Sequence, residues 1–309
     1  MKRFLIRFAL IIFIPAICCV IVCEYCLRKI PNDYAYKNEW MTKNISEVQI
    51  LNLGSSHAYY GIEPSVFSRK AFNAAHVSQS IKYDHFVFTK FYNQMDSLQI
   101  LILPISYGSL IGYGPENGIE DWRVRFYSIY YNCDYHKYEP RYNLEVWYGL
   151  HVNEILDFVI NGDDRLKCNE LGRGTIYKLS DRNKDWKDSG AEAAERHTAK
   201  KNRDDIICKN IELIEEMIEM CANKDATVIL LTTPTYRTYR ENLDTLQLYQ
   251  TIRNCEALEH KYDNVIYMNL LDDDRFVDDD FFDADHLNEY GADKLTMVLR
   301  QKIDMVVKR

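Results

Sequence analysis

Short apolar runs and amphipathic segments follow one another along most of the chain. The apolar runs have the length and composition of strands buried in a parallel sheet, and they lie at 48–53, 71–73, 99–104, 227–233 and 265–269. The amphipathic segments have helical spacing, and they lie at 82–94, 204–221, 243–262 and 289–307. Strands that alternate with helices indicate an α/β fold with a doubly wound parallel sheet.

The longest apolar run lies at the N-terminus. It is uninterrupted from Phe8 to Cys23, and Arg7 at its border can extend its charged end to the membrane surface. Lysine and arginine on the short leading side favour a cytoplasmic N-terminus. Residues 1–30 are therefore predicted to be a single-pass anchor in the cell membrane, with the C-terminal domain extracytoplasmic.

Two other interpretations of this segment depend on processing. A cleaved signal peptide is disfavoured because the run is long and no Ala-x-Ala site follows it. Lipid attachment at Cys18 or Cys19 is disfavoured because Ala16-Ile17 comes before them, with no small residue directly preceding Cys18.

The alternation of strands and helices stops at about 108–200. Tyrosine and tryptophan are concentrated at 122–148, in a segment that looks helical, and 172–190 is a polar loop. Such aromatic side chains suit a sugar-stacking wall over an active site, and they equally suit the core of an inserted subdomain. The chain is thus predicted to be an anchor followed by one α/β domain over 31–309 that carries a helical insertion.

Composition limits the classes of function. With 309 residues, 47% of them hydrophobic and 27% charged, the chain is long enough to bury a large core and is not disordered. A net charge of −8 argues against binding to nucleic acid. Outside the anchor the cysteines are odd in number and form no Cys-x-x-Cys pair, and no His-x-x-x-His pattern occurs, so we expect neither a metal site nor a cofactor.

Two adjacent serines follow the first predicted strand. Gly54 allows a sharp turn there, which leaves Ser55 and Ser56 at the carboxyl edge of the sheet, where open α/β sheets bind their ligands. Serines at such positions also cap helices. A serine hydroxyl becomes a good nucleophile only when a neighbouring imidazole takes its proton.

A histidine and a carboxylate lie before the last predicted helix. Asp283 and His286 are three residues apart, which allows contact across one turn, and Asn288 is the predicted N-cap. Asp285 is the direct neighbour of His286, so its side chain is expected to diverge. A surface histidine in an acidic run would look similar, but together with the serines this pair completes the set that nucleophilic catalysis needs.

At these positions the sequence resembles the SGNH/GDSL hydrolase superfamily, most closely the membrane-anchored bacterial branch of alginate O-acetylation and D-alanyl-lipoteichoic acid proteins. Gly54-Ser55-Ser56 stands where the first block has Gly-Asp-Ser, and Asp283-x-x-His286 matches the last block. The likeness covers most of 46–110 and 225–309. It implies a flavodoxin-like, three-layer fold, with Ser56 as the nucleophile, His286 as the base and Asp283 as the acid that orients the base.

The resemblance also implies an oxyanion hole. Segment 72–80 resembles the second block, with Ser78 where many relatives have glycine, whereas the third block, Gly-x-Asn-Asp, is absent. Ser106, Asn73 or Gln79 is expected to donate instead, beside the main-chain amides of Ser56 and Ser78. Loss of one oxyanion donor lowers the rate of such an enzyme ~100-fold or more. The absence of the third block is therefore also compatible with a non-catalytic domain.

Two functions follow. The first is hydrolysis or transfer of an acyl group, with acetyl expected, on a cell-envelope or exported polysaccharide through an acyl-Ser56 intermediate. The expected partners are a carbohydrate substrate, the membrane and an acyl-donor protein within it. The alternative is a non-catalytic glycan-binding or scaffold protein in envelope polysaccharide assembly. Arg196 and His197 are interpreted as the solvated start of a helix rather than as ligand contacts.

Overall fold

The computed structural model describes residues 1–112, 114–115 and 120–307, except for the side chains of residues 2, 5, 6 and 9. The strands are β1 (Ile50–Asn52), β2 (Ala71–Asn73), β3 (Ile100–Pro104), β4 (Thr227–Thr232) and β5 (Val265–Asn269). The helices are α1 (Lys2–Leu27), α2 (Asp33–Asn44), α3 (Ser56–Gly61), α4 (Ile81–Phe91), α5 (Val124–Tyr130), α6 (Pro140–Asn143), α7 (Val152–Asn161), α8 (Ser189–His197), α9 (Asp204–Ala222), α10 (Arg237–Arg240), α11 (Thr245–Lys261) and α12 (Glu289–Val306).

The five strands form one parallel sheet in the order β2-β1-β3-β4-β5. Ile50 of β1 pairs with Ala71 of β2 on one side and with Ile100 of β3 on the other. The chain therefore winds outward from β1 to β2 and then crosses back to β3, which places a topological switch point between β1 and β3. The doubly wound α/β fold expected from the sequence pattern is confirmed.

Helices cover this sheet and bury most of β1 to β4, whereas in the edge strand β5 only Val265 is buried. Helix α4 packs against α9, and α3 packs against α12. Leu295, Leu299 and Ile303 recur every four residues on α12 and form one apolar stripe in a core that also contains Ile102 and Ile229. Burial on both faces explains why the strands appear in the sequence as almost continuous apolar runs.

The outer edge of β2 is covered by a loop that precedes α8. The main-chain N–H of Asn73 donates a hydrogen bond to the Leu171 carbonyl oxygen at 2.9 Å. Gly172 has a φ of +87°, and a Cβ at this position would lie 2.1 Å from the Asn73 carbonyl oxygen. Only glycine permits this close approach of two backbones, and the approach shields an otherwise open strand edge.

Contacts divide the chain into two compact units. Unit 2 comprises Glu39–Glu120 and Lys167–Arg309 and contains the sheet. Unit 1 comprises Met1–Asn38 and Asp121–Leu166, so its second segment lies within the predicted insertion.

Aromatic side chains form much of the interior of unit 1. The ring centroid of Tyr34 lies 4.9 Å from that of Phe126 and 5.1 Å from that of Tyr127. Tyr131 and Tyr142 are buried as well. Packing therefore accounts for these members of the aromatic cluster at 122–148.

Helix α1 has two parts with different surroundings. Residues 10–22 are exposed, whereas Cys23 and Leu27 are only 7% and 0% exposed. Within the described part of the chain, α1 is the one helix that is long and apolar enough to cross a membrane, over Leu10–Leu27. This agrees with the predicted anchor, while its orientation stays a prediction.

Candidate active site

A glycine turn presents Ser56 at the end of β1. Gly54 has a φ of +113°, and a Cβ there would lie 3.1 Å from Ala58 Cβ and 3.2 Å from Pro104 Cδ. Its N–H donates to Asp84 Oδ1 at 2.7 Å. The turn therefore requires glycine, and it starts α3 at Ser56, beside the switch point between β1 and β3.

The loop before α12 positions His286. Asn288 caps α12 as predicted, because its Oδ1 accepts hydrogen bonds from the N–H groups of Tyr290 and Gly291. Its Nδ2 donates back into the loop, to the carbonyl oxygens of Asp279 and Phe281 at 2.8 and 3.2 Å. One buried amide side chain thus ties the helix start to the loop.

Asp283 is oriented by its own loop. Its Oδ1 accepts hydrogen bonds from the main-chain N–H groups of Asp285 and His286 at 3.0 and 2.8 Å. This arrangement directs the carboxylate towards the imidazole of His286.

Ser56, His286 and Asp283 form a continuous line of contacts. Ser56 Oγ lies 2.8 Å from His286 Nε2. On the other side of the ring, Nδ1 lies 3.0 and 3.1 Å from the two carboxylate oxygens of Asp283. Both contacts are within hydrogen-bond range. The structure therefore brings together the three residues that the sequence singled out from opposite ends of the domain.

Charges around His286 determine its protonation. Burial alone would lower the pKa of His286, but the carboxylates of Asp283 and Asp285 and the hydrogen bond with Asp283 raise it to about 9. Burial opposes ionisation of Asp283, yet the charge and hydrogen bond of His286, with two main-chain donors, hold its pKa below the usual range. An ionised Asp283 stabilises the imidazolium that forms when His286 accepts a proton.

A second carboxylate and a second histidine lie beside this line. Asp285 Oδ2 is 3.5 Å from His286 Nδ1 and 3.7 Å from His57 Nε2. Neither Asp285 Oδ2 nor His57 Nε2 has a hydrogen-bond partner among the described residues, although both are buried. Burial raises the pKa of Asp285 to about 6. Burial, followed by the charges of His286 and His197, lowers the pKa of His57 well below its ordinary value.

His197 completes the surroundings of Asp285. It ends α8, it is buried, and its Nδ1 lies 2.9 Å from the Tyr239 hydroxyl and 4.0 Å from Asp285 Oδ2. Burial, then the charges of His286 and Arg196, lower its pKa to about 3. The interpretation of Arg196 and His197 as a solvated helix start is therefore wrong for His197, which is buried at the end of α8, whereas the Arg196 side chain is 48% exposed.

His57, Asp285 and His286 are the residues nearest to a metal-ligand set in the described chain. One ligand atom from each lies within 4.8 Å of the others. The His57 and His286 rings, however, are stacked with their centroids 4.8 Å apart at 16°. Ring nitrogens bind metals in the plane of the ring, so nearly parallel rings do not direct their lone pairs to one ion. In addition, Asp283 already occupies Nδ1 of His286.

A cavity of about 300 Å³ opens onto Ser56 and His286. Polar side chains in its wall include Ser78, Gln79, Ser106, Glu120, Tyr177 and Arg196. The cavity lies at the carboxyl ends of β1 and β3, where a doubly wound sheet binds its ligands.

Ser56 and Ser78, the two residues whose main-chain N–H groups are expected to bind an oxyanion, both line this cavity. No described residue accepts a hydrogen bond from the N–H of Ser56 or Ser78. Ser56 lies in the first turn of α3, where the helix supplies no acceptor. Ser78 has a φ of +59°, a conformation that favours glycine, and its hydroxyl donates to the Glu120 carboxylate.

The side chain of Asn73 is used elsewhere. Its Nδ2 donates to the carbonyl oxygens of Ala58 and Ile62 at 2.9 and 3.0 Å, and its Oδ1 accepts from the N–H of Ala75 at 3.0 Å. The amide holds β2 against α3, and the described cavity wall does not include it. The structure therefore does not bring Asn73 to the site.

Gln79 and Ser106 line the cavity but have structural partners. Gln79 Nε2 donates to Asp84 Oδ1 at 2.7 Å, and Ser106 Oγ lies 2.9 Å from Ser109 Oγ. Burial raises the pKa of Asp84 to about 7, against the hydrogen bonds that it accepts from Gln79 and Gly54. As oxyanion donors, these two side chains remain predictions.

In comparisons with known proteins, the chain is only distantly similar to solved structures. No protein-family model and no curated protein matches the chain. Among solved structures, a candidate acylhydrolase from Bacteroides fragilis is 10% identical, with a TM-score of 0.43 over 89% of this chain and 99% of its own. A GDSL-like lipase from Bacteroides thetaiotaomicron is 12% identical, with a TM-score of 0.43 over 88% of this chain and 99% of its own. Similarity at this level does not establish a shared reaction.

Proposed function

We propose that this protein is a serine-dependent acyl-ester enzyme in which Ser56 is the nucleophile, His286 the base and Asp283 the orienting acid. The observation that carries the proposal is the 2.8 Å contact between Ser56 Oγ and His286 Nε2, with Asp283 at 3.0 Å behind the ring. Ser55 is the other candidate nucleophile, and its Oγ lies 3.4 Å from His57 Nδ1 instead.

The geometry supports a two-step reaction. His286 Nε2 removes the proton from Ser56 Oγ as that oxygen attacks the ester carbonyl, and the N–H groups of Ser56 and Ser78 stabilise the oxyanion. His286 then gives the proton to the departing alkoxide, which leaves as an alcohol, and Ser56 carries the acyl group. In the second step His286 deprotonates water or an incoming hydroxyl, which attacks the acyl carbon and releases Ser56. Water produces hydrolysis, and a sugar hydroxyl produces transfer.

The cavity supports a proposal for the substrate class. A volume of about 300 Å³ suits a small acyl group such as acetyl. The hydroxyl groups, the Glu120 carboxylate and the Arg196 guanidinium in its wall suit an alcohol with several hydroxyl groups. We therefore propose an acetylated carbohydrate of the cell envelope as the substrate. The proposal includes anchoring by α1 and, for transfer, an acyl-donor protein in the membrane.

A non-catalytic glycan-binding or scaffold role is the second candidate, and one observation favours it. Segment 101–107 offers no asparagine after β3, and the nearby Ser106 and Gln79 side chains have other partners. Only the main-chain donors of Ser56 and Ser78 then serve an oxyanion. Removal of one donor from such a hole lowers kcat by a factor of about 10² to 10³.

The test compares the two adjacent serines. Ser56→Ala is expected to abolish hydrolysis of a chromogenic acetyl ester, while Ser55→Ala keeps most of the activity, because only Ser56 contacts His286. A fluorophosphonate probe should label Ser56 in the wild type. Activity retained in Ser56→Ala but lost in Ser55→Ala would move the nucleophile to Ser55. A wild type that binds acetylated glycans without turnover and resists the probe would establish the scaffold role.

A further inference from the structure

Helix α7 of unit 1 exposes an apolar strip. Val152, Leu156, Val159 and Ile160 are 47%, 48%, 71% and 73% exposed, and their spacing of i, i+4, i+7 and i+8 places them along one face. These four residues are called the α7 strip below. No residue of α7 is buried. Contiguous exposed aliphatic surface of this kind marks a contact with another apolar phase.

The other face of α7 is polar and acidic. Asn153, Glu154 and Asp157 are exposed there, on the side of the helix opposite Val159. The helix is therefore amphipathic, and its exposed apolar strip lies beside the partly buried Ile155 and Phe158. Because its charged residues are acidic, any contact of the strip depends on apolar burial and not on attraction to anionic groups.

Hydrogen bonds hold the segment before α7 against the end of α1. The Glu24 carboxylate accepts from the N–H of Val146 at 3.0 Å, and Arg28 Nη2 donates to the Asn143 carbonyl oxygen at 2.8 Å. Helices α1 and α7 are themselves in contact within unit 1. The α7 strip thus belongs to the same compact unit as the helix that can cross a membrane.

The level of the bilayer surface along α1 can be placed from burial. Exposed apolar side chains continue to Val22, and protein packing begins at Cys23. Tyr25 on α1 is exposed next to this transition, and so are Trp147 and Tyr148, which directly follow Val146, the residue hydrogen-bonded to Glu24. Tryptophan and tyrosine concentrate where lipid headgroups meet acyl chains.

We propose that α7 is an interfacial membrane helix, with the α7 strip inserted into the boundary between headgroups and acyl chains next to the point where α1 leaves the bilayer. Lipid is the occupant that fits, because α1 and α7 are neighbours in one unit and both present exposed aliphatic side chains. Unit 1 is then held to the bilayer by two helices. This inference is independent of the reaction proposed for unit 2.

The test uses a photoreactive residue at matched positions of the full-length chain. Val159→benzoylphenylalanine probes the α7 strip, Glu154→benzoylphenylalanine probes the polar face of the same helix, and Ile12→benzoylphenylalanine marks the core of α1. The chains are reconstituted in vesicles of phosphatidylcholine, which carry no net charge, and are irradiated. Lipid adducts are measured by mass spectrometry.

We expect lipid adducts at positions 12 and 159, with a yield at 159 about 5-fold or more above that at 154, because apolar faces of interfacial helices insert by several ångströms. Equal yields at 159 and 154 would overturn the proposal. Adducts at 12 alone would overturn it while leaving the anchor intact. Crosslinks from 159 to a second copy of the chain would show that a protein covers the strip.

A second measurement does not depend on the photoreactive side chain. Brominated phosphatidylcholine quenches tryptophan fluorescence at shallow depth, so the wild type should lose more emission than Trp147→Phe, which lacks the exposed ring. Equal quenching of the two chains would contradict an interfacial position for the segment before α7.

Discussion

At the scale of single residues, the proposed catalysis depends on the protonation of His286. Only the neutral imidazole accepts the proton of Ser56, and the neighbouring carboxylates raise the pKa of His286 to about 9. Ester turnover should therefore rise with pH through the range above 7, with kcat/KM following an apparent pKa well above the ordinary 6.5 of histidine. The measurement is a pH profile of acetyl-ester hydrolysis. An ascending limb centred at or below 6.5 would contradict the assigned charges.

Asp283 and Asp285 should differ in their effects. Asp283→Asn removes the carboxylate charge and places an amide that can donate to His286 Nδ1, which favours the wrong imidazole tautomer, so turnover should fall by up to ~10⁴. Asp285→Asn removes only a charge that raises the pKa of His286, so the ascending limb should move to lower pH with a far smaller loss. An amide at this position can also donate to His57 Nε2, which has no hydrogen-bond partner in the described part of the chain.

The pH dependence of turnover in both variants over pH 5 to 10 shows which aspartate orients His286. Circular dichroism of each variant serves as the control for folding. Equal losses from the two substitutions, or a larger loss from Asp285→Asn, would transfer the orienting role to Asp285.

The sequence identifies some of these residues and not others. Ser56 and His286 could be found because a strand end and a helix start mark their positions. The position of His57 beside Asp285 could not be predicted from the sequence, because it depends on how two loops meet over a sheet. Asn73 was misleading, because a buried amide serves equally well for a ligand or for three main-chain partners.

At the scale of elements, the junction between α12 and the loop before it supports the site. Asn288→Ala removes both the cap and the donors to Asp279 and Phe281, and it should lower the free energy of unfolding by about 1–2 kcal/mol and reduce turnover, since His286 lies two residues away. Asn288→Asp keeps the cap acceptor and loses the donors. Urea unfolding and kcat separate the two roles.

If the loop contacts matter for catalysis, Asn288→Asp should reduce kcat nearly as much as Asn288→Ala. Full activity in Asn288→Asp would restrict Asn288 to its role as a helix cap.

Whether an element could be predicted from the sequence depends on how deeply it is buried. The strands were found because parallel strands buried on both faces are apolar throughout, although β1 begins at Ile50, two residues later than expected. Helices α5, α6 and α7 were not resolved individually, because none is longer than 10 residues.

At the scale of the whole molecule, α1 should behave as an integral anchor. The full-length chain should remain in membranes after extraction with alkaline carbonate, whereas a chain that begins at Cys23 should be released, because the exposed apolar residues 10–22 are gone. Protease added to intact cells should digest the C-terminal domain. Protection of that domain would contradict the proposed orientation.

The point of truncation provides a matched control. A chain that begins at Pro31 also lacks Leu27 and Ile30, which are buried in unit 1, and it should have a lower thermal midpoint than the chain that begins at Cys23. Equal midpoints would mean that the end of α1 contributes nothing to folding.

The division into units could not be predicted from the sequence. Composition marks a boundary near residue 30 and an insertion at about 108–200, but unit 1 combines an N-terminal segment with one from the middle of the chain. Only tertiary contacts such as that between Glu24 and Val146 show that these segments belong together.

The same contact has a consequence for biosynthesis. Glu24 and Val146 are 122 positions apart, so at a synthesis rate of ~5–20 residues per second the end of α1 waits roughly 6–25 s for its packing partner. During that interval Cys23 and Leu27 are uncovered and need shelter in lipid or in a chaperone. Translation pauses between codons 30 and 120 should therefore lengthen the exposure of α1 and lower the yield of folded protein.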